Sequence, residues 1–394
     1  MAEDIQPNRA GRKEMKEMIP LARPDIGENE IYYVNEVLRS GVLSIGPVIE
    51  RFEQQISKYI GVKHAVAVNS GTSALHLMMR ACGIEEGDEV ITTPFSFIAS
   101  TNCILFEGGK PIFVDIDPRT YNLDISQVEA KITPKTKAIL PVDVFGQPFD
   151  IEAVNDIARR HDLVVIQDSC EALGSVWNGK KVGSQSKVAA FAFYPNKQIT
   201  TAEGGVIVTN DDEIAELCRS MRSQGRADTG TWLQHQRLGY NYRLSEVHAA
   251  IGVAQMERLD EIIAARQKVA EMYARRLQGI PGVSAPWIDG NVTRMSWFVY
   301  VITLDAGVNR NDVMYRLQEE GVGCKPYFTP IHHQPHIIKM TGYSPGDFPV
   351  TEDIAARTIA LPFFTKMSEE QVNTVTSKLA TILDSLKFML RGEK

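Results

Sequence analysis

The chain has 394 residues, enough for one large domain with a second, smaller one. Hydrophobic content of 44% and charged content of 23% are those of a globular enzyme, and a formal net charge of −7 speaks against the basic face that nucleic acid calls for. The five cysteines (Cys82, Cys103, Cys170, Cys218, Cys324) are scattered, odd in number and lack CxxC spacing, which fits a reducing compartment better than a disulfide framework.

The opening stretch, 1-MAEDIQPNRAGRKEMKEM-18, is polar and lacks an apolar leader. It reads as a mobile charged tail, and no apolar run is long enough to span a bilayer. The expectation is a cytoplasmic protein with no membrane or nucleic-acid partner.

Strand candidates follow at 65-AVAV-68, 88-DEVITT-93, 111-PIFVDI-116, 138-AILPV-142, 163-LVVIQ-167, 188-VAAFAF-193 and 205-GVIVT-209. Several are β-branched runs without polar alternation, as expected of strands buried on both faces. Helical patterns lie between them at 72-TSALHLMMRAC-82, 151-IEAVNDIARRH-161 and 212-DEIAELCRSMR-222. This rhythm predicts an α/β fold with a mainly parallel sheet. From Ser245 the pattern changes. A long helical stretch over 245–277, bent at least once, leads to a strand at 297–304, a helix at 311–321, a strand-like 322–328 and a final helix at 368–386. The expected division is a large domain over 19–255 and a smaller α+β domain over 256–394.

Three places could carry chemistry. In 66-VAVNSGTSALHL-77 a strand ends and Ser-Gly-Thr-Ser opens a helix. Unpaired amides and the positive dipole end there suit a phosphate, with Gly71 admitting close approach and Thr72 and Ser73 adding hydroxyls. An ordinary N-cap reads the same way. In 163-LVVIQDSCEALGS-175, Asp168 stands at the carboxyl end of an apolar strand, where open α/β sheets bind ligands. Glu171 three residues later gives the rival reading of a capping box. In 189-AAFAFYPNKQITTAEGGVIVT-209, Lys197 sits in a tight turn between an apolar strand and a Gly-Gly pair, which a solvated surface lysine does not need. A lysine in a pocket loses its proton more easily and becomes a nucleophile toward carbonyl carbon. A phosphate cup, a carboxylate and a lysine match the three handles of pyridoxal 5′-phosphate.

The order SGTSALHL, QDSCEALGS, FYPNKQITTAEGG and 239-GYNYRLSEVHAAIG-252 resembles the DegT/DnrJ/EryC1/StrS family of aminotransferases. The likeness extends through 19-IPLARPDIGENEI-31, 40-SGVLSIGPVIERFE-53 and 296-SWFVYV-301, over most of the chain. It implies the fold type I architecture of pyridoxal-phosphate enzymes and a homodimer whose subunits share active sites. It also implies transfer of an amino group from an amino acid, L-glutamate, to a keto group of a nucleotide-linked sugar.

By the same resemblance Lys197 is the Schiff-base lysine, and Asp168 is the partner of the pyridine nitrogen. Gly71, Thr72 and Ser73 form the phosphate cup, and Phe97 stacks on the ring. Asn241 is a phosphate ligand reached from the partner subunit, and His332 belongs to the substrate-side loop. No metal is expected, because no carboxylate or thiol ligand accompanies His332, His333 and His336 in the sequence.

Two positions depart from the family pattern. Ala192 stands where many relatives have a phosphate-binding serine, so that hydrogen bond is missing or comes from water or Ser186. Glu171 stands where glutamine is frequent, near the cofactor's phenolic oxygen, and is expected to be protonated or hydrogen-bonded elsewhere. Sugar-dehydrating relatives carry histidine in place of the lysine, so Lys197 favours amino transfer. Aminocyclitol formation and a non-catalytic sensor that keeps the fold remain as alternatives. A nicotinamide-dependent oxidoreductase would want a GxGxxG run after a strand, which is absent.

Overall fold

The structure, a computed structural model, describes residues 18–226 and 234–392, with side chains up to Leu386. The predicted tail therefore lies almost wholly outside the described residues. The main sheet has seven strands, in the order His64–Val68, Gly205–Thr209, Val188–Ala192, Val164–Asp168, Thr136–Ile139, Glu89–Thr92 and Lys110–Phe113. Every pairing is parallel except those of Gly205–Thr209, which runs against both neighbours. One reversed strand makes the sheet mixed and mainly parallel.

Successive side chains along these strands point to opposite faces. Val66, Ile166, Ala190 and Ile207 meet Ala74, Leu75 and Met78 of the helix Gly71–Ala81 on one face. Ala67, Phe191 and Val208 meet Phe52, Ile56 and Val253 on the other. Both faces are apolar, so the strands show no polar alternation.

The stretch over 245–277 divides into Glu246–Glu257 and Leu259–Leu277, with the bend at Arg258 (φ −124°, ψ 18°). The second helix packs with Arg310–Glu319 and Glu369–Gly392 on a three-stranded antiparallel sheet. Tyr300–Leu304 is central in that sheet, between Val283–Ser284 and Thr358–Leu361.

The smaller sheet differs from the expected elements in two places. Thr358–Leu361, missed in the sequence, is a buried strand that pairs Tyr300 with Leu361. The run 322–328 forms only isolated bridges, Val322 with Ile19 and Lys325 with Ala360, because it bends away toward the main sheet. That bend carries Tyr327 and Phe328 into the wall of a cavity at the carboxyl ends of the main-sheet strands.

Candidate active site

The carboxyl ends of His64–Val68, Val164–Asp168 and Val188–Ala192 open on one cavity of about 520 Å³, a size that suits a cofactor with part of a substrate. Its floor is the N-terminus of the helix Gly71–Ala81. Ser70 is the N-cap, and its Oγ accepts from the Ser73 N–H at 3.0 Å. The Ser73 hydroxyl donates to Asn69 Oδ1 at 2.7 Å. Both polar groups of Ser73 are thus committed to the cap, and Ser73 does not line the cavity. Ser70, Gly71 and Thr72 do. The amides of Gly71 and Thr72 open the helix and have no intrahelical carbonyl to meet, which leaves them for an anion.

Two close approaches explain the glycines around this cup. A Cβ on Gly71 would meet the Ala192 Cβ at 2.7 Å. A Cβ on Gly205 would lie 2.5 Å from the Ser70 carbonyl oxygen and 2.8 Å from the Gly71 nitrogen, all backbone. The Gly-Gly pair after Lys197 therefore lets the returning strand pass directly behind the cup. Ser186 supplies nothing to it. Ser186 precedes the strand Val188–Ala192, whose far end reaches the cavity, and it does not line the site. At about 3.3 Å per residue the separation is roughly 20 Å.

Asp168 ends its strand and is buried. Its Oδ2 accepts from Ser100 Oγ at 2.7 Å and its Oδ1 from the Cys170 N–H at 3.1 Å. No helix begins there, so the capping-box reading fails. Glu171 turns instead toward Lys197, whose Nζ is 3.4 Å from Glu171 Oε1, while the Phe145 N–H donates to Oε2 at 2.9 Å. Burial pushes the Glu171 carboxyl above the usual carboxylate range, with the Lys197 charge pulling the other way. This agrees with the expectation that it is protonated or bonded elsewhere.

Lys197 lies in a turn closed by its own N–H to the Tyr194 carbonyl at 2.9 Å, and its side chain is only 13% exposed. The surface-lysine alternative is thereby removed. Phe97 lines the cavity and is 61% exposed, which leaves its ring at the rim.

Besides Ser73, two residues carried over from the resemblance are not brought to this cavity. Asn241 is exposed in the 240–243 segment, and its carbonyl accepts from Asn69 Nδ2 at 3.5 Å. His332 is wholly buried, with Nε2 2.9 Å from Glu352 Oε1 and its ring against Phe348. The three histidines do not come together, but a carboxylate the sequence did not point to, Glu352, does join two of them, His332 and His333, with ligand atoms within 4.8 Å of one another. His336 faces Asn102 at 3.3 Å, and Glu352 also accepts from the Gly346 N–H.

Sequence reasoning missed Ser100, Phe145 and Phe298. Ser100 was within reach, in the quoted 93-TPFSFIAS-100, because a serine one helical turn after an aromatic rim residue faces the same strand end. Phe145 had no local signal, and Phe298, although inside the quoted 296-SWFVYV-301, had none that tied it to Lys197, since both arrive from other elements.

An anion-binding helix end, a strand-end carboxylate and a buried lysine in one cavity define a pyridoxal-phosphate enzyme of the fold type I class. The comparisons agree. A profile of the DegT/DnrJ/EryC1/StrS aminotransferase family matches residues 24–380, and the chain belongs to that family. It is 37% identical over 380 residues to the spore coat polysaccharide biosynthesis protein SpsC of Bacillus subtilis, covering 93% of this chain and 97% of that one. It is 39% identical over 369 residues to the GDP-perosamine synthase of Caulobacter vibrioides, covering 93% and 98%. Among solved structures, Helicobacter pylori PseC, an aminotransferase of pseudoaminic acid biosynthesis, superimposes with a TM-score of 0.89 at 30% identity, over 94% of this chain and all of that one. The chain is thus a pyridoxal-phosphate-dependent sugar aminotransferase. Among the described residues no helix is long and apolar enough to cross a membrane.

Proposed function

We propose that the protein moves an amino group from an amino acid, L-glutamate, to the keto group of a nucleotide-linked sugar, with Lys197 as the residue that bonds the cofactor and shuttles the proton. The observation that carries this reading is the placement of Lys197 Nζ in the same cavity as Asp168 and the Gly71–Thr72 helix end. The relative named GDP-perosamine synthase supports the nucleotide-sugar acceptor.

The residues present fit pyridoxal phosphate. The free helix-end amides and Thr72 would hold its phosphate, Asp168 its ring N–H, and the Lys197 amine its aldehyde. When bound, the cofactor supplies a carbonyl that condenses with amines and a ring that takes up the electron pair of a broken C–H bond. The chain does the rest. Ser100 and the Cys170 amide hold Asp168 in place, so its charge faces one point of the cavity. With the cofactor bound, the Lys197 amine would hold its aldehyde and, when free, would be the base that takes and returns the proton of the donor's Cα. Phe298, Tyr327 and Phe328 form an apolar wall that keeps water from competing for that proton. Release of the keto acid before the sugar enters gives ping-pong kinetics.

We place the second half of the site on a second copy of the chain. Phe97 and Tyr194, 61% and 52% exposed at the rim, support this, as does the exposure of Asn241. A second subunit would bring Asn241 to the phosphate.

The test is direct. The purified protein should be yellow, lose its visible band on borohydride, and carry the reduced adduct on Lys197 by mass spectrometry. With glutamate it should then aminate one member of a panel of nucleotide keto sugars. An adduct on another lysine would refute the assignment of Lys197.

A further inference from the structure

We propose that Phe298 is a positioning residue for Lys197, its ring face and the Glu171 carboxyl together forming a berth for the free ε-amine. This rests on Lys197 being the residue that bonds the cofactor. Lys197 Nζ lies 3.9 Å from the centroid of the Phe298 ring and 3.4 Å from Glu171 Oε1. One side of the amine is therefore an anionic oxygen or its neutral acid, and another is the negative face of an aromatic ring.

The ring is held from behind by an unusual piece of backbone. Trp297 has a φ of 54°, in the left-handed region that a bulky side chain rarely enters. Arg266, itself 3% exposed, fixes that geometry by donating Nε to the Trp297 carbonyl at 2.7 Å and Nη2 to the Phe298 carbonyl at 2.8 Å. Trp297 Nε1 donates to Gln267 Oε1 at 2.6 Å. The strained residue, with two hydrogen bonds to one helix and a third from that helix to the next carbonyl, is over-determined, and its effect is to set the Phe298 side chain against the amine.

The two halves of the berth come from different sheets. Lys197 and Glu171 follow strands of the main sheet, whereas Phe298 leads into Tyr300–Leu304 of the smaller one. An amine released from the aldehyde would otherwise be the tip of a long flexible chain. The berth keeps it beside its point of return and out of water.

The other titratable groups sharing the cavity are Asp168, Cys170, Tyr194, Glu203 and Tyr327; of these only Tyr327 packs its ring on Phe298, edge-on at 6.3 Å between centroids. Removing the ring face removes attraction for the ammonium form alone. In Phe298→Leu apoprotein, the pH midpoint of covalent capture of pyridoxal phosphate, followed by absorbance, should fall by about 0.5–1 unit. Below the midpoint, capture should be roughly three- to tenfold faster. Phe298→Tyr keeps the face and should follow the wild type. Phe298→Met, flexible and without a ring, carries the same expectation as leucine and serves if the leucine variant does not fold. Superimposable profiles for wild type and the ring-less variant would overturn the proposal. Borohydride-trapped peptides separate the two levels: trapping on a residue other than Lys197 would overturn the underlying assignment as well.

Discussion

Ala192→Ser tests the reading of the cup most sharply. Ala192 ends the strand Val188–Ala192, pairs with Gly205, and lines the cavity. Its Cβ would be 2.7 Å from a Cβ on Gly71, so it abuts the first residue of the helix. A hydroxyl on that carbon would stand among the Gly71 and Thr72 amides, where the phosphate is assigned. One hydrogen bond to a charged group contributes about 1.5–3 kcal/mol. At about 1.4 kcal/mol per decade, that predicts a dissociation constant for pyridoxal phosphate roughly 10- to 150-fold lower in the serine variant. The assay is an absorbance titration of apoprotein, with the Lys197→Ala background separating phosphate contacts from the covalent link. Unchanged or weaker binding in both backgrounds would refute the placement of the phosphate at this helix end.

Lys197→Ala should abolish the borohydride-stable adduct and reduce turnover by at least about 10³-fold, while circular dichroism shows the fold retained. Gly205→Ala forces a Cβ to within 2.5 Å of the Ser70 carbonyl oxygen; it should cost about 1–3 kcal/mol in urea unfolding and weaken cofactor binding, whereas an unperturbed variant would contradict the close approach. Asp143 is buried behind Asp168, and loss of hydration raises its carboxyl to about 7 despite hydrogen bonds from Ser169, Gln167 and the Phe149 N–H. A raised folded value stabilises fully below the unfolded value near 4 and is lost as pH rises through about 7. Asp143→Asn should therefore gain stability relative to wild type between pH 4 and 7, by on the order of 4 kcal/mol at most, and a constant difference from pH 5 to pH 8 in urea unfolding would contradict this.

Local signals were enough where an element is defined by its own residues. The seven strands of the main sheet were legible because burial on both faces demands uninterrupted apolar runs, and each observed strand overlaps its predicted one. Thr358–Leu361 was not legible. It is a four-residue strand directly after the helix Pro349–Arg357, and what makes it a strand is its pairing with Tyr300–Leu304, almost sixty residues earlier. The helix break at Arg258 was foreseen only as a bend of unspecified position. Nothing in its residue type marks the spot, and Arg258 is held there by Asp25 and Glu30 from the other end of the chain.

The site divides along the same line. Gly71, Thr72, Asp168 and Lys197 all lie at or just beyond strand ends, so chain order and strand prediction alone aim them at one place. What sequence order does not carry is how each is restrained. Asp168 depends on Ser100, sixty-eight residues away, and Glu171 on the Phe145 N–H, presented by a residue at a φ of 56°. Lys197 depends on Phe298, about a hundred residues away and set by Arg266. His332 stands apart from the cavity for the mirror-image reason. Its motif matches the family, but its imidazole is committed to Glu352 and buried against Phe348, so a role at the substrate would require the segment to move. The reacting groups are thus written locally, and their restraint is written across the chain. That division predicts that substitutions at Ser100, Phe145 and Phe298 will shift the pH and affinity profiles of the site while leaving its chemistry in place.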